Sequence, residues 1–488
     1  MTRLREVRVG IQPIERFREV LAEDEIRGAL ATANRLRHRL AKRVVWNVNS
    51  TPVGGGVAEM LQSLLSYARA VGIDTRWMVI GAPPEFFRVT KRIHHALHGS
   101  PGDGRPLDDA ARAIYEGALE ENALELASLV RPGDFAILHD PQTAGLAPAL
   151  RRCGVRVMWR CHIGHDSWTP EVERGWRFLA PYLRAAQRTV FSRKAYVPEV
   201  CDHGRSRIIP PSIDAFSPKN RDLSPATVRA ILVHTGLLEG PPPPDADTGF
   251  RRDDGSPGRV ERKADILRLG RAPPPDAPLV VQISRWDPLK DMRGVLEGYA
   301  RMVDGHLEEP SHLVLAGPNV TAVADDPEAA GVFDEVAAAW RRLPHSLRDR
   351  VHLACLPTAD VQENAAIVNA LQRHAAVVVQ KSLHEGFGLT VTEAMWKARA
   401  VLASAVGGIQ DQIEDGVSGL LLRDPRDLDG FAALLGRLLG DSALRDRLGA
   451  TARECVRRNS LGLGHLLRYA ELIEELDEEA GPPGIPSA

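Results

Sequence analysis

From residue 43 onward the chain repeats one pattern, a short apolar run followed by a stretch with helical spacing. In the first half the runs cover 44–48, 76–80, 135–138, 155–160, 189–191 and 207–209. In the second half they cover 279–283, 312–316, 351–354, 376–379 and 401–403. Runs of this length suit strands, and the segments between them suit crossover helices. The pattern therefore predicts an α/β fold with parallel sheets covered on both faces. Residues 14–42 lack such runs; they are charged, rich in Ala, Leu, Arg and Glu, and read as one or two surface helices.

At 488 residues the chain exceeds one ordinary core, so two domains are expected. A composition shift separates them. After Pro210-Pro211-Ser212-Ile213-Asp214 the sequence passes through Gly240-Pro241-Pro242-Pro243-Pro244 to Arg271-Ala272-Pro273-Pro274-Pro275. Proline at this density stops helices and marks exposed connections. The expected division is an N-terminal Rossmann-like domain over 1–214, with 1–42 as a helical extension, and a C-terminal one over 215–454. The second contains a Pro-rich connector at 240–275. In open parallel sheets ligands bind beyond the carboxyl ends of the strands, so two such domains are expected to face each other across a cleft.

Charge excludes some functions. Lys and Arg number 62 against 64 Asp and Glu, a net charge of -2, which gives no basis for a nucleic-acid or membrane partner. The five cysteines are scattered, with no C-x-x-C pair, so neither a disulfide framework nor a zinc site is expected. With no long apolar segment, the chain reads as cytoplasmic.

Three motifs carry chemistry. The first is Asn47-Val48-Asn49-Ser50-Thr51-Pro52-Val53-Gly54-Gly55-Gly56-Val57-Ala58-Glu59, between a strand and a helix with apolar face Val57, Met60, Leu61, Leu64, Leu65 and Ala68. Glycines at a helix N-terminus let a phosphate or sugar reach backbone N–H groups. It is neither a dinucleotide fingerprint nor a Walker loop, and a plain flexible turn is the alternative. The second is Ser284-Arg285-Trp286-Asp287-Pro288-Leu289-Lys290, directly after a strand. Fixed positive charge there can meet the negative charge of a leaving diphosphate; the alternative is a solvated strand end. The third is Glu385-Gly386-Phe387-Gly388-Leu389-Thr390-Val391-Thr392-Glu393-Ala394-Met395. Gly386 and Gly388 permit close approach around Phe387. The helix starting near Leu389 and Thr390 would aim its free N–H groups at donor phosphates. Glu385 and Glu393 could hold hydroxyls at two places on one extended ligand. Glu393 lies on an otherwise uncharged helix and needs partners if buried.

His162 follows a strand in Trp159-Arg160-Cys161-His162-Ile163-Gly164-His165-Asp166, and His139-Asp140-Pro141-Gln142 has the same position after another. Either could be a ligand-binding or a structural histidine. No HExxH or Gly-x-Ser-x-Gly motif is present, and Asp245-Ala246-Asp247 reads as solvated linker rather than a metal site.

These strings together resemble the retaining glycosyltransferases of two-domain GT-B fold, and among them the trehalose glycosyltransferring synthases. Arg285, Lys290 and the Glu385…Glu393 spacing carry the general resemblance. The closer one rests on Asn49-Ser50-Thr51 with Gly54 to Met60, Glu85-Phe86-Phe87-Arg88-Val89-Thr90-Lys91, His139-Asp140-Pro141-Gln142, Trp159-Arg160-Cys161-His162-Ile163, Pro210-Pro211-Ser212-Ile213-Asp214, and 385–397 continuing to Val406-Gly407-Gly408-Ile409. The resemblance implies glucose transfer from an NDP-glucose donor to glucose, reversibly forming trehalose with the α configuration retained. Arg285 and Lys290 would neutralise the leaving diphosphate, Glu385 would hold donor glucose hydroxyls, Glu393 the ribose, and His162 the donor sugar near its C6 hydroxyl. Gly55 and Gly56 would close over the donor phosphate. Asn49, Asp140 and Arg160 are assigned to the acceptor side. It implies no protein nucleophile, no metal and no cofactor, and a last helix within 455–488 crossing back to the N-terminal domain. The oligomeric state is open, a homodimer included.

The chain departs from the family pattern at Gly164, where the family has an acidic residue, and at Asp291, where it has glycine. The competing readings are a trehalose phosphorylase using glucose 1-phosphate or phosphate, and a nucleotide-sugar sensor without catalysis. A ribose-binding Glu393 favours the synthase over the phosphorylase, and the intact cations disfavour the sensor.

Overall fold

The computed structural model describes residues 4–52, 55–244, 247–304, 311–320 and 327–479. The chain divides into two compact units, residues 1–212 with 460–488, and residues 213–459.

In the first unit every predicted run forms a strand: β2 (Val45–Asn49), β3 (Thr75–Val79), β4 (Phe135–His139), β5 (Arg156–Cys161), β6 (Arg188–Phe191) and β7 (Ser206–Ile208). With β1 (Arg5–Val7) they make a seven-stranded sheet of order β1-β3-β2-β4-β5-β6-β7. It is parallel except for β1, which runs antiparallel to β3. Alternate residues enter separate cores: Trp46 and Val48 of β2 join Leu138 and Trp159 on one face, while Val45 joins Ile137, Met158 and Val190 on the other. Burial on both faces explains why these strands read as continuous apolar runs rather than as alternation.

The second face is closed by the helices Glu23–Arg39 and Gly462–Glu479. The latter inserts Ala470, Leu472, Ile473 and Leu476. Its last two turns are acidic and meet arginines from the N-terminal ends of the strands. Asp477 accepts from Arg43 at 2.6 and 3.2 Å and pairs with Arg156, Glu475 pairs with Arg207 at 2.7 Å, and Glu479 pairs with Arg188. The helix Glu23–Arg39, expected at the surface, is buried along Ile26, Ala29 and Leu36.

The second unit has strands β8 (Gly249–Arg251), β9 (Pro257–Arg259), β10 (Asp265–Leu267), β11 (Leu279–Ile283), β12 (His312–Pro318), β13 (Val351–Leu356), β14 (Val377–Gln380), β15 (Ala400–Ser404) and β16 (Leu420–Leu422). Seven of them form a sheet of order β10-β13-β12-β11-β14-β15-β16, parallel except for the edge strand β10. The Pro-rich stretch is more ordered than a connector. It holds the β8–β9 hairpin and β10. Arg252 grips Asp360 at 2.6 and 3.2 Å, and Glu363, 2% exposed, accepts from the backbone N–H groups of Glu261 and Arg262, both at 2.7 Å. Asp247 pairs with Arg259 across the hairpin at 3.1 Å, both side chains being exposed to solvent; Asp245 and Ala246 lie outside the described residues.

Candidate active site

In the first unit the candidate residues gather at the carboxyl ends of β2, β4 and β5. His139 ends β4 beside Arg160 of β5. The next residue, Asp140, adopts φ +63°, and this turn brings its carboxylate to the backbone N–H of His162 at 2.8 Å. A non-glycine residue there is strained, and the bonds around it hold the strain in place. His139 Nδ1 lies 3.1 Å from His162 Nε2, and His139 Nε2 lies 3.3 Å from Asn47 Oδ1.

Burial sets the charges. It lowers the His139 pKa to about 3, with Arg160 adding to the shift, and it takes His162 well below its ordinary value with the same help. Burial also raises Asp140 to about 6 despite the His162 N–H bond and Arg160. Arg160 is fully enclosed and donates to the Phe191 carbonyl at 3.2 Å, so it ties β5 to the end of β6. Asn49 is likewise turned inward: its Oδ1 accepts from the Trp77 indole at 2.8 Å and its Nδ2 donates to the Thr51 carbonyl at 2.7 Å. Arg160 and Asn49 therefore shape the site from behind. His465, on the terminal helix, was not singled out in the sequence; it is buried near Arg160 and His139, and burial holds its pKa well below normal. Its only signal was a histidine amid the apolar Leu461, Leu463, Leu466 and Leu467.

Of the glycine loop, Val53 and Gly54 lie outside the described residues. Gly55 has φ +82° and caps the helix Gly56–Ala70 without a side-chain cap hydrogen bond of its own. The glycine is needed for its conformation, since a Cβ there would meet nothing within 4 Å.

The second unit carries the charged set. Asp287 caps the turn Pro288–Lys290 by accepting from Leu289 N–H at 2.8 Å. That turn directs Lys290 Nζ to Glu385 Oε2 at 2.6 Å. The same oxygen accepts from Ser382 at 3.1 Å, and Ser382 accepts from Gln380 at 2.9 Å. Gln282, fully buried in β11, donates to the Lys290 carbonyl at 2.7 Å and accepts from Lys381 N–H at 2.9 Å. The lysine turn and the Glu385 loop are thus locked together through one amide. Arg285 is exposed and pairs with Asp287 at 3.1 Å.

Gly388, at φ +87°, caps the helix Leu389–Trp396, again with no side-chain cap. Leu389 and Thr390 form its open first turn, which offers N–H groups to an anion. Phe387 is buried against Gly408, where a Cβ would come within 2.7 Å of the Phe387 Cα. Glu393, 8% exposed, has Lys219 at 3.7 Å. Lys397, one turn on, donates to Asn220 Oδ1 at 3.0 Å and to the Glu393 carbonyl at 3.1 Å; burial takes its pKa down to about 7. Lys219 and Asn220 were missed because neither belongs to the motif they support, whereas Lys397 closes the 385–397 string and was assigned no role in it.

Both departures from the family pattern have a physical account. A Cβ on Gly164 would sit 2.2 Å from Cγ of the buried Tyr196, so no side chain fits; the negative charge stands instead at Asp166, paired with Arg193. Asp291 takes the left-handed φ of +46° that suits glycine, and its carboxylate pairs with Lys381 and accepts from Gly294 N–H at 3.0 Å. Gly164→Ala is expected to destabilise the protein by about 1–3 kcal/mol through overpacking. Gly164→Ala with Tyr196→Ala should recover part of the loss in a thermal melt, and a melt unchanged by Gly164→Ala contradicts this packing.

Four imidazoles, His139, His162, His352 and His465, are held neutral by burial. A folded pKa below the unfolded 6.5 means that the unfolded chain binds more protons. Stability then falls as pH drops below 6.5, by up to about 1.4 kcal/mol per pH unit for each group. Asp140 acts oppositely, favouring the fold as pH falls through about 6, but it is one group against four. The melting temperature is expected to fall steeply between pH 6.5 and 5; a flat profile there contradicts the neutral assignment.

Among the described residues no helix is long and apolar enough to cross a membrane. Residues 47–198 match the family model described as trehalose synthase, N-terminal domain, and residues 268–455 match that of glycosyl transferases group 1. A trehalose synthase of Pyrococcus horikoshii is 32% identical over 98% of this chain and 99% of its own. A trehalose phosphorylase of Pleurotus pulmonarius is 26% identical over 91% of this chain and 58% of its own. The E. coli trehalose-6-phosphate protein solved bound with UDP-2-fluoro glucose has the same GT-B fold, with TM-score 0.64 and 15% identity over 89% of this chain and 99% of that one.

Proposed function

The chain belongs to the trehalose synthase family of glycosyltransferases, and on that footing we propose that it transfers glucose from an NDP-glucose to free glucose, forming trehalose with retention. The observation that carries this reading is the Lys290–Glu385 pair at 2.6 Å beside the open helix start at Leu389. A leaving diphosphate gathers negative charge as the C1–O bond breaks, and preorganised cations and N–H groups lower that barrier most where water is excluded. Lys290 supplies the cation, Leu389 and Thr390 the N–H groups, and Arg285 a second cation at the rim. Glu385 trades its lysine for donor hydroxyls when the phosphate takes the lysine. The hydroxyl of acceptor glucose adds to C1 on the face that the diphosphate leaves, and its proton passes to the departing phosphate oxygen.

Glu393 is assigned to the ribose, with Lys219 and Lys397 fixing its carboxylate and its turn. Glu393→Ala is expected to raise the donor KM about ten- to hundred-fold, the loss of hydrogen bonds to a charged group, with a smaller change in the glucose KM. An unchanged donor KM removes the ribose from this position. The phosphorylase reading has one support, the Pleurotus relative that matches most of this chain; the same cations would suit inorganic phosphate.

A further inference from the structure

The polar atoms behind His162 form a directed chain. Thr75 Oγ1 donates to the Val45 carbonyl at 3.0 Å, and it lies 3.2 Å from Asn47 Nδ2. A carbonyl cannot donate, so the single hydroxyl proton is committed to Val45 and Thr75 must accept from Asn47. That fixes the Asn47 amide with its oxygen toward His139 Nε2, at 3.3 Å. The oxygen only accepts, so the proton of His139 sits on Nε2. A neutral ring carries one proton, and His139 Nδ1 is left as an acceptor facing His162 Nε2 at 3.1 Å. His162 must then donate from Nε2. Its Nδ1 becomes a bare lone pair, with no hydrogen-bond partner among the described residues. Thr75, Asn47 and His139 are each 3% exposed and border a mainly apolar cavity of about 100 Å³, and the hydrogen bonds from Thr75 to Asn47 and from Asn47 to His139 are direct. Both rings are neutral for the reasons given above, with Arg160, Asp140 and His465 the charged or titratable groups around them.

We propose that Thr75, Asn47 and His139 are positioning residues that lock His162 in its Nε2-protonated tautomer, so that Nδ1 accepts a hydrogen bond from a sugar hydroxyl. The hydroxyl clause rests on the proposed function, since it needs a sugar at this end of the sheet; the tautomer lock does not. An acceptor-only atom selects a ligand group that can donate. A free hydroxyl qualifies, whereas an ionised phosphate ester or a deoxy position does not.

The test uses the full chain with imidazole nitrogens labelled with 15N, and His162 signals assigned by their loss in His162→Gln. At pH 7.5 the expected spectrum has His162 Nε2 protonated and Nδ1 unprotonated. Thr75→Val and Asn47→Leu each break the series and should bring in the other tautomer, with kcat/KM for glucosyl transfer falling about ten-fold or more, one hydrogen bond's worth. Thr75→Val is the milder change and remains informative if Asn47→Leu does not fold. A protonated Nδ1 in the native protein, or an unaltered tautomer in a folded Thr75→Val or Asn47→Leu variant, overturns the lock. The expected tautomer with an Nδ1 signal unmoved by saturating UDP-, ADP- or GDP-glucose plus glucose overturns the hydroxyl clause and the sugar reading of this site, while the lock stands.

Discussion

Replacing Lys290 with methionine is expected to lower kcat for glucosyl transfer by about 10²- to 10³-fold, the cost of losing one preorganised charge-stabilising donor. Methionine keeps the length and apolar stem, so the loss isolates the ammonium. That ammonium is 2.6 Å from Glu385 and belongs to a turn fixed through Asp287 and Gln282. Such fixing means that little reorganisation is left for the moment of bond breaking. Lys290→Arg should recover only part of the rate, because a planar fork does not replace a point charge in a turn held this closely. Arg285→Ala should cost less, since Arg285 is exposed and its field is screened by water and Asp287. Steady-state kinetics separates the cases: the Lys290 effect falls mainly on kcat. An effect on donor KM alone would make the lysine a ground-state binder, with no part in stabilising the leaving group.

Ending the chain at Asn459 is expected to abolish folding of the first unit. The helix Gly462–Glu479 is distant in sequence from the sheet that it covers, yet Leu472, Ile473 and Leu476 are core residues there. Burial of three such side chains stabilises by roughly 5–9 kcal/mol at about 1.5–3 kcal/mol each, comparable with the whole stability of an ordinary domain. Truncation also strips the carboxylates from Arg43, Arg156, Arg188 and Arg207. Arg156 and Arg188 are nearly enclosed and would be left as buried charges without their acidic partners. Asp477→Ala is the graded version, costing about 2–4 kcal/mol by the same logic. Expression and thermal melts check both; a truncated protein that melts with the native one contradicts the role given to this helix.

Much of this architecture was legible because it is local. Strands buried on both faces write themselves as apolar runs, and all of the runs from residues 44–48 to 401–403 correspond to strands. The edge strands β1 and β10 left no such trace, being three residues long, half exposed and paired antiparallel. The β8–β9 hairpin hid inside proline and charge because its order comes from Asp360 and Glu363, about a hundred residues away. The same division runs through the site. Lys290, Glu385 and Glu393 stand in motifs whose spacing is set by one turn or one helix start. Gln282, Lys219 and Asn220 support them from other elements, as His465 lies behind His139 and Arg160 in the first unit, and only folding joins these residues to what they hold. Thr75 could not be singled out from sequence, since a buried threonine in a strand is ordinary until its proton is traced.

The most direct test of the account is a product assay: purified protein with glucose and UDP-, ADP- or GDP-glucose, run beside glucose with glucose 1-phosphate. Trehalose formed from at least one nucleotide sugar, with release of the nucleoside diphosphate and none formed from glucose 1-phosphate, is the predicted result. Trehalose formed only from glucose 1-phosphate, with release of inorganic phosphate, would contradict it and make the protein a phosphorylase.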